Sequence, residues 1–385
     1  MHEDRAPESV WAGRSTKRRW RRGPAAAQQL WSTGREKGSP GAPLGTWAVD
    51  GTLAMARIDG VRAYGLTSGE PLWSWQPPGG GDQVLAHVSQ DTADGVAVVL
   101  HHDGRDGDDA LSDAWHVYLT GLDLRTGSAV WTRAQPADEL GSVSTEARGI
   151  ALGGGLIATA RTRDGNTETT IRVLDARTGA LQWERPLPLE GWGDAAVLAA
   201  EPVVVSTVGP GYPTPPLAPR RLFASSAPRR LHVVSADAEQ VIDLPQYSEV
   251  PPPFDVPPRY EAFGGHPVFV GDTLAVELVA PQPDDQEHTG SSLRAYSAAT
   301  GDFRWSWSST YGGTIFPLAH RGYLVVLNGY GDRATVLDPA DGRVVAERSL
   351  PGYSFQARLV ASGDCLAVVC TAPRTTRRVR VFRWK

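Results

Sequence analysis

Short apolar runs recur along the chain, and clusters of glycine, proline and aspartate separate them. Within a run the apolar residues are consecutive or alternate with polar ones, which is typical of β-strands rather than amphipathic helices. The 42 glycines and 30 prolines also oppose long helices. Seven of the runs divide the chain evenly, at residues 52–57, 95–100, 156–160, 203–208, 273–279, 323–327 and 365–370. This pattern predicts an all-β protein built from repeated units.

A sequence repeat supports this prediction. The segment LDLRTGSAVW at residues 122–131 is matched position by position by LDARTGALQW at residues 174–183. Two further copies keep the glycine and the tryptophan four residues later, a fifth copy keeps the glycine but has Ala346 in place of the tryptophan, and a degenerate sixth at residues 231–244 lacks the glycine. The motif positions are Asp123, Gly127, Trp131, Asp175, Gly179, Trp183, Gly69, Trp73, Gly301, Trp305 and Gly342.

The residue types of the repeat predict a tight turn followed by an outer strand. Asp123 and Asp175 end a strand, and their carboxylates can accept backbone N–H bonds within the turn. The glycine supplies a positive φ, and the next strand begins at once. The tryptophan on that strand is large enough to cover the gap to a neighbouring sheet, and burying it is worth about 2–3 kcal/mol.

The units predict a closed ring. The last one supplies a third strand at residues 378–384 and then the chain stops, whereas residues 29–32, with Trp31, match the outer-strand segment at residues 72–74. We therefore expect a closed β-propeller of four-stranded antiparallel blades, the last completed by an N-terminal strand. Seven blades are predicted, and eight are the alternative if residues 209–267 hide an atypical unit. Residues 28–385 would form this single domain, preceded by a disordered basic tail at residues 1–27.

The frame Asp-x-x-Thr-Gly-x-x-x-Trp resembles the tryptophan-docking motif of the PQQ-like β-propeller repeat family, which includes quinoprotein alcohol dehydrogenases and BamB-type outer-membrane assembly lipoproteins. The resemblance covers residues 29–385 and implies the fold; the motif itself occurs in enzymes and non-enzymes. Enzymes of the family characteristically carry vicinal cysteines beside the cofactor and acidic calcium ligands, but here Cys365 and Cys370 are five residues apart. The resemblance therefore favours a non-enzyme without cofactor, with PQQ and calcium kept as the alternative.

Charge and composition restrict the partners. The net charge of −5 does not favour nucleic acid, and no apolar window is long enough for a signal peptide or a membrane span. The sequence predicts a cytoplasmic monomer, or an exported protein if the true N-terminus lies upstream. No phosphate-binding loop, nucleophile elbow or zinc-binding motif is present.

The long insertions indicate where binding occurs. In a four-stranded blade the Thr-Gly turn joins the third and fourth strands, so the insertions at residues 101–113, 209–230, 245–267 and 281–291 emerge at the opposite face. We predict a recognition or scaffold module that binds a protein through this face; a PQQ-dependent dehydrogenase and a small-ligand or polysaccharide binder are the alternatives. The candidate partner-binding residues are Arg220, Arg221, Arg229, Arg230, Tyr212, Tyr247 and Tyr260. A weak calcium-site alternative rests on Asp103, Asp106 and Asp108.

Overall fold

The computed structural model contains seven four-stranded antiparallel sheets arranged in a ring, which confirms the β-propeller prediction and the count of seven blades. The structure describes residues 26–33, 44–79, 83–89, 91–103, 117–135, 150–162, 168–188, 195–208, 229–244, 268–279, 291–309, 316–328, 330–352, 357–370 and 379–384. None of these residues is helical, so this part of the chain offers no helix that could cross a membrane.

Each blade uses four strands, numbered along the chain from the inside of the ring outwards. Blade 1 contains β2 (Gly45–Val49), β3 (Thr52–Arg57), β4 (Gly60–Gly65) and β5 (Pro71–Trp75). Blade 2 contains β6 (Gln83–Val88), β7 (Val96–Asp103), β8 (Val117–Asp123) and β9 (Ala129–Gln135). Blade 3 contains β10 (Ile150–Gly153), β11 (Leu156–Thr162), β12 (Glu168–Asp175) and β13 (Leu181–Pro188).

The remaining blades follow the same order until the chain ends. Blade 4 contains β14 (Ala195–Ala200), β15 (Val203–Val208), β16 (Arg229–Val234) and β17 (Glu239–Leu244). Blade 5 contains β18 (Val268–Val270), β19 (Thr273–Val279), β20 (Ser291–Ser297) and β21 (Phe303–Ser308). Blade 6 contains β22 (Phe316–His320), β23 (Tyr323–Leu327), β24 (Arg333–Leu337) and β25 (Val344–Ser349). Blade 7 contains β26 (Ala357–Ser362), β27 (Cys365–Cys370) and β28 (Val379–Arg383).

The N-terminal strand β1 (Gln28–Ser32) is the outer strand of blade 7 and pairs antiparallel with β28, as predicted. Just before β1, Ala27 is buried and its N–H donates to the Ser349 carbonyl of blade 6 at 2.9 Å. The two ends of the chain therefore complete one blade together, which pairs the edge of β28 that would otherwise be open.

The core lies between the blades. In the described part of the chain, seven clusters of buried apolar residues each join two neighbouring blades, including blade 7 with blade 1. The cluster that closes the ring contains Leu53 and Met55 from blade 1 and Val369 and Val381 from blade 7. Cys365 and Cys370 are both buried on β27 and form no disulfide with each other. The hydrophobic contacts thus run continuously around the ring.

The repeat tryptophans lie at these junctions. The Trp131 indole of blade 2 packs under Gly179 of blade 3, and its Nε1–H donates to the Ala176 carbonyl at 2.8 Å. The same packing joins Trp31 to Gly69, Trp73 to Gly127 and Trp305 to Gly342, and the indoles of Trp31 and Trp305 also donate to a carbonyl of the next blade. Each of these four glycines leaves space for the tryptophan of the preceding blade, so the motif acts between blades rather than within one.

Blade 6 has Ala346 where other blades have tryptophan, and the structure shows what fills the gap. Trp384, which follows β28 in blade 7, packs into the cluster that also contains Ala346 and Ala27. Trp384 occupies the position in blade 7 that Ala176 occupies in blade 3. Its backbone N–H donates to the Asp364 carbonyl at 2.6 Å, as the Ala176 N–H donates to the Gly155 carbonyl. A tryptophan from the following blade therefore replaces the missing one.

Candidate functional site

The two faces of the ring differ in the length of their connections. The seven inner hairpins and the third-to-fourth-strand turns lie on one face, here called the turn face. The connections from second to third strands and from blade to blade start and end on the opposite face, here called the loop face. All four long insertions predicted from the sequence join strand ends on the loop face.

Few of the predicted partner-binding residues can be placed. Arg220, Arg221, Tyr212, Tyr247 and Tyr260 lie outside the described residues. Arg229 and Arg230 do not belong to a loop as expected, because they begin strand β16 and pair with β15 and β17. An alternating strand can begin with polar residues when its start lies at the surface, which the sequence pattern did not reveal.

The structure describes one of the three residues of the calcium-site hypothesis and the histidine that precedes them. His101 was expected at the start of an insertion but belongs to β7, where it is buried. Its Nε2 lies 2.9 Å from the Thr120 hydroxyl, and its ring stacks on Tyr118. Asp103 ends β7, whereas Asp106 and Asp108 lie outside the described residues. Among the described residues, no cluster of His, Cys, Asp or Glu could hold a metal ion.

The turn face carries a set of Asp–Arg contacts that the repeat motif does not predict. Arg125 in the blade 2 turn binds Asp50 in the blade 1 inner hairpin, with Nε 2.6 Å from Oδ2. Arg177 in the blade 3 turn binds Asp94 in the blade 2 inner hairpin at 2.7 Å. Asp-Gly between two apolar runs is a strong hairpin signal and could have located both aspartates. All four side chains are exposed, so each pair contributes at most about 1 kcal/mol.

Aspartates also organise individual turns on this face. Asp175 accepts hydrogen bonds from the hydroxyl and the backbone N–H of Thr178, and these bonds lower the pKa of its carboxyl. The pKa of Asp272 is lowered by the Ala299 N–H, the Ser297 hydroxyl and the Arg304 guanidinium. The turn face is therefore occupied by its own internal polar contacts.

Blade 4, whose turn lacks the glycine, is joined to blade 3 differently. Trp183 packs against the cluster between the two blades, and Arg185 donates to the Ser235 carbonyl at 3.2 Å. The Glu239 carboxylate lies 2.6 Å from His232 Nδ1 and 3.7 Å from Arg185 Nη2. On the other side of blade 4, the Gln240 side chain lies against Gly301, where other junctions have tryptophan. At the junction of blades 3 and 4, the polar cluster of Arg185, His232 and Glu239 thus replaces part of the contact between tryptophan and glycine.

The central channel is bounded by the seven innermost strands, two of which, β6 and β26, carry the titratable side chains of His87 and Arg358. The side chains of His87 on β6 and Arg358 on β26 are half-buried, and protein atoms surround most of each side chain. Burial, and then the charge of Arg358, lower the pKa of His87 to about 4. Asp91 follows β6 near the turn face; its side chain is open to solvent at one side, but enclosure by the surrounding protein raises its pKa to about 6.

The strand order and ring closure define a seven-bladed β-propeller protein with a rigid ring and one loop-rich face. Residues 17–244 match the model of the family described as outer membrane protein assembly factor BamB. The match spans more than half of the chain, and the protein therefore belongs to this family.

Solved structures similar to the chain include members of both branches named above. BamB from Moraxella catarrhalis is 15% identical over 93% of this chain and 100% of that one, with a TM-score of 0.46. The quinohemoprotein alcohol dehydrogenase ADHIIG from Pseudomonas putida HK5 is 12% identical over 93% of this chain and 76% of that one, with a TM-score of 0.47. The computationally designed Ika8 protein is 11% identical over 92% and 99%, with a TM-score of 0.48. No curated protein matches the sequence.

Proposed function

We propose that this protein is a non-catalytic recognition module that binds a protein partner through its loop face. The observation that carries the proposal is the asymmetry between the faces: every long connection joins strand ends on the loop face, whereas the turn face has short turns bound to one another. Loops held by a rigid ring are the usual place for binding residues. Membership of a family described by an assembly factor agrees with this role.

Site-specific photo-crosslinking tests which face binds. A photoreactive residue at exposed Pro78 or Ser308 reports on the loop face, and the same residue at exposed Ala299 or Ala340 is the matched control on the turn face. We expect a discrete crosslinked product in extracts of the source organism from the first two positions alone. Equal products from both faces, or none from the loop face, would contradict the proposal.

A loop replacement adds a second test. Joining Val208 to Arg229 through an Asn-Gly turn removes the longest insertion in blade 4 and preserves the β15–β16 hairpin. We expect an unchanged melting temperature and a weakened or lost crosslink at Ser308.

Calorimetric titration with PQQ and calcium tests the enzymatic alternative. Stoichiometric binding at micromolar Kd or tighter, about −8 kcal/mol, would overturn the non-catalytic assignment.

A further inference from the structure

The outer strand of blade 6 has an open edge that another part of the chain already touches. The strand β25 is last in the order of its sheet, and among the described residues it pairs along its length with β24 alone. At the end of β25, Ser349 forms an isolated parallel bridge with Ala26, and its carbonyl accepts from the Ala27 N–H at 2.9 Å. The residues just before β1 therefore approach the free edge of blade 6.

The backbone of β25 has further groups that face this edge. Because the Ser349 carbonyl points outwards and the direction alternates along a strand, the N–H and C=O of Glu347 also point away from β24. In agreement, the Glu347 carbonyl accepts from the Arg348 guanidinium at 3.0 Å. A carbonyl oxygen has two lone pairs, so it can accept from a second donor. The ladder that begins at Ser349 can thus continue to Glu347.

The surface along the edge favours a basic occupant that can also cover apolar area. Val344 and Val345 at the start of β25 are both 44% exposed. In the adjoining turn, Asp338 and Asp341 lie 3.6 and 3.8 Å from a single arginine, Arg343, which leaves the turn with a net negative charge. An open edge of this kind pairs readily with another strand, and proteins usually cover it.

We propose that residues 21–25 of this chain add a parallel fifth strand to the edge of β25. These residues lie outside the described part of the chain, and the bridge next to β1 sets the register in which they follow. In that register the Ser349 N–H donates to the carbonyl of Ala25. The Ala25 N–H then donates to the Glu347 carbonyl, and the Glu347 N–H donates to the carbonyl of Gly23.

The sequence of the segment fits this register. Pro24 has no N–H, and it falls where the backbone nitrogen faces solvent, which is a position that edge strands tolerate. Arg21 and Arg22 fall beside the exposed valines, and their aliphatic stems can cover apolar surface while the charged ends stay in water. The basic residues 17–19 then lead towards the acidic turn. Such a strand is independent of the partner proposed for the loop face, and it limits the predicted disordered tail to the residues before Arg21.

Amide hydrogen exchange, followed by NMR, tests the fifth strand. The Glu347 amide should exchange at least about tenfold more slowly in the full-length chain than in a chain that begins at Ala26, which lacks its acceptor. Thr132 follows the tryptophan position of β9 as Glu347 follows that of β25, and its amide is the control, with equal exchange in both chains. The melting temperature should hardly change, because ordering five residues offsets most of the gain from the edge hydrogen bonds.

Two substitutions test the register itself. Ala25→Pro removes the N–H that donates to Glu347, so exchange of the Glu347 amide should rise to the rate in the truncated chain. Pro24→Ala adds an N–H on the solvent side and is the matched control, with the protection kept. Equal exchange in the full-length and truncated chains, or protection that survives Ala25→Pro, would overturn the proposal. Protection that grows with protein concentration would also overturn it, because a second copy of the chain would then occupy the edge.

Discussion

At the residue scale, two kinds of contact hold the turn face, and their magnitudes differ. The Arg177–Asp94 pair is exposed at both ends, so solvent and salt screen it to about 1 kcal/mol or less. The Trp131 indole is half-buried against the next blade and makes a hydrogen bond there, and losing such a ring costs on the order of 3 kcal/mol. The tryptophan contacts therefore dominate the junctions, and the ion pairs align the turns.

The docking of tryptophan under glycine gives a matched prediction. Gly127 and Gly51 both have positive φ, 74° and 82°, but a Cβ at Gly127 would lie 2.6 Å from the Trp73 ring, whereas nothing lies within 4 Å at Gly51. We expect Gly51→Ala to cost about 1–2 kcal/mol from backbone strain, and Gly127→Ala to cost about 1–3 kcal/mol more. Urea unfolding measures both. Equal midpoints would mean that the close approach of Trp73 contributes nothing.

Individual residues also show where sequence reasoning stopped. The sequence repeat identifies Trp131 and Gly179 as motif residues. It does not show that the tryptophan of one blade contacts the glycine of the next blade. Trp384 could not be assigned, because it fills the place of a missing tryptophan from a position outside the repeat frame. His87 and Arg358 are far apart in the chain, and only the fold brings them close enough for the Arg358 charge to lower the pKa of His87.

At the element scale, the second strand of each blade was the most predictable. The runs at residues 203–208, 273–279, 323–327 and 365–370 coincide with β15, β19, β23 and β27. Each of these strands lies in the middle of a sheet that packs between two neighbouring blades, so most of their described side chains are buried on both faces and the strands read as continuous apolar runs. The innermost strands border the channel and mix buried with half-exposed residues, and their sequences therefore carry a weaker signal.

The strand β1 provides an element-scale prediction. Removing residues 1–33 deletes β1 and the Trp31 contact with Gly69, and it opens the edge of β28. We expect the melting temperature to fall by about 5–10 °C, since the buried aromatic alone is worth several kcal/mol. Removing only residues 1–25 is the control and should leave it nearly unchanged. A synthetic peptide of residues 26–33 should restore the loss in part; identical melting of the two truncations would show that β1 does not stabilise the ring.

At the whole-molecule scale, a cluster of buried apolar residues joins every pair of neighbouring blades in the described part of the chain, including blade 7 with blade 1. Six blades are continuous in sequence, and blade 7 is built from both ends of the chain. The strands and the turn face form the contacts that close the ring, which leaves the loop face for the proposed binding of a partner. A location in the cytoplasm and a disordered N-terminal tail stay predictions, although Ala27, the last residue assigned to that tail, is buried against blade 6.

Circular permutation tests whether the split blade directs assembly. Gln28 pairs with Arg383 and occupies the position that Ala180 has in blade 3, so joining Trp384 to Gln28 through the three residues Arg-Thr-Gly of positions 177–179 would make blade 7 continuous. New termini can be opened within residues 245–267 between blades 4 and 5. We expect a folded protein that melts within about 3 °C of the parent. A Gly-Ser linker of equal length should serve as well, to within about 1 kcal/mol, because blade 6 presents Ala346 rather than a tryptophan to that turn. A permutant that fails to fold would show that the split blade, and not the ring as a whole, directs assembly.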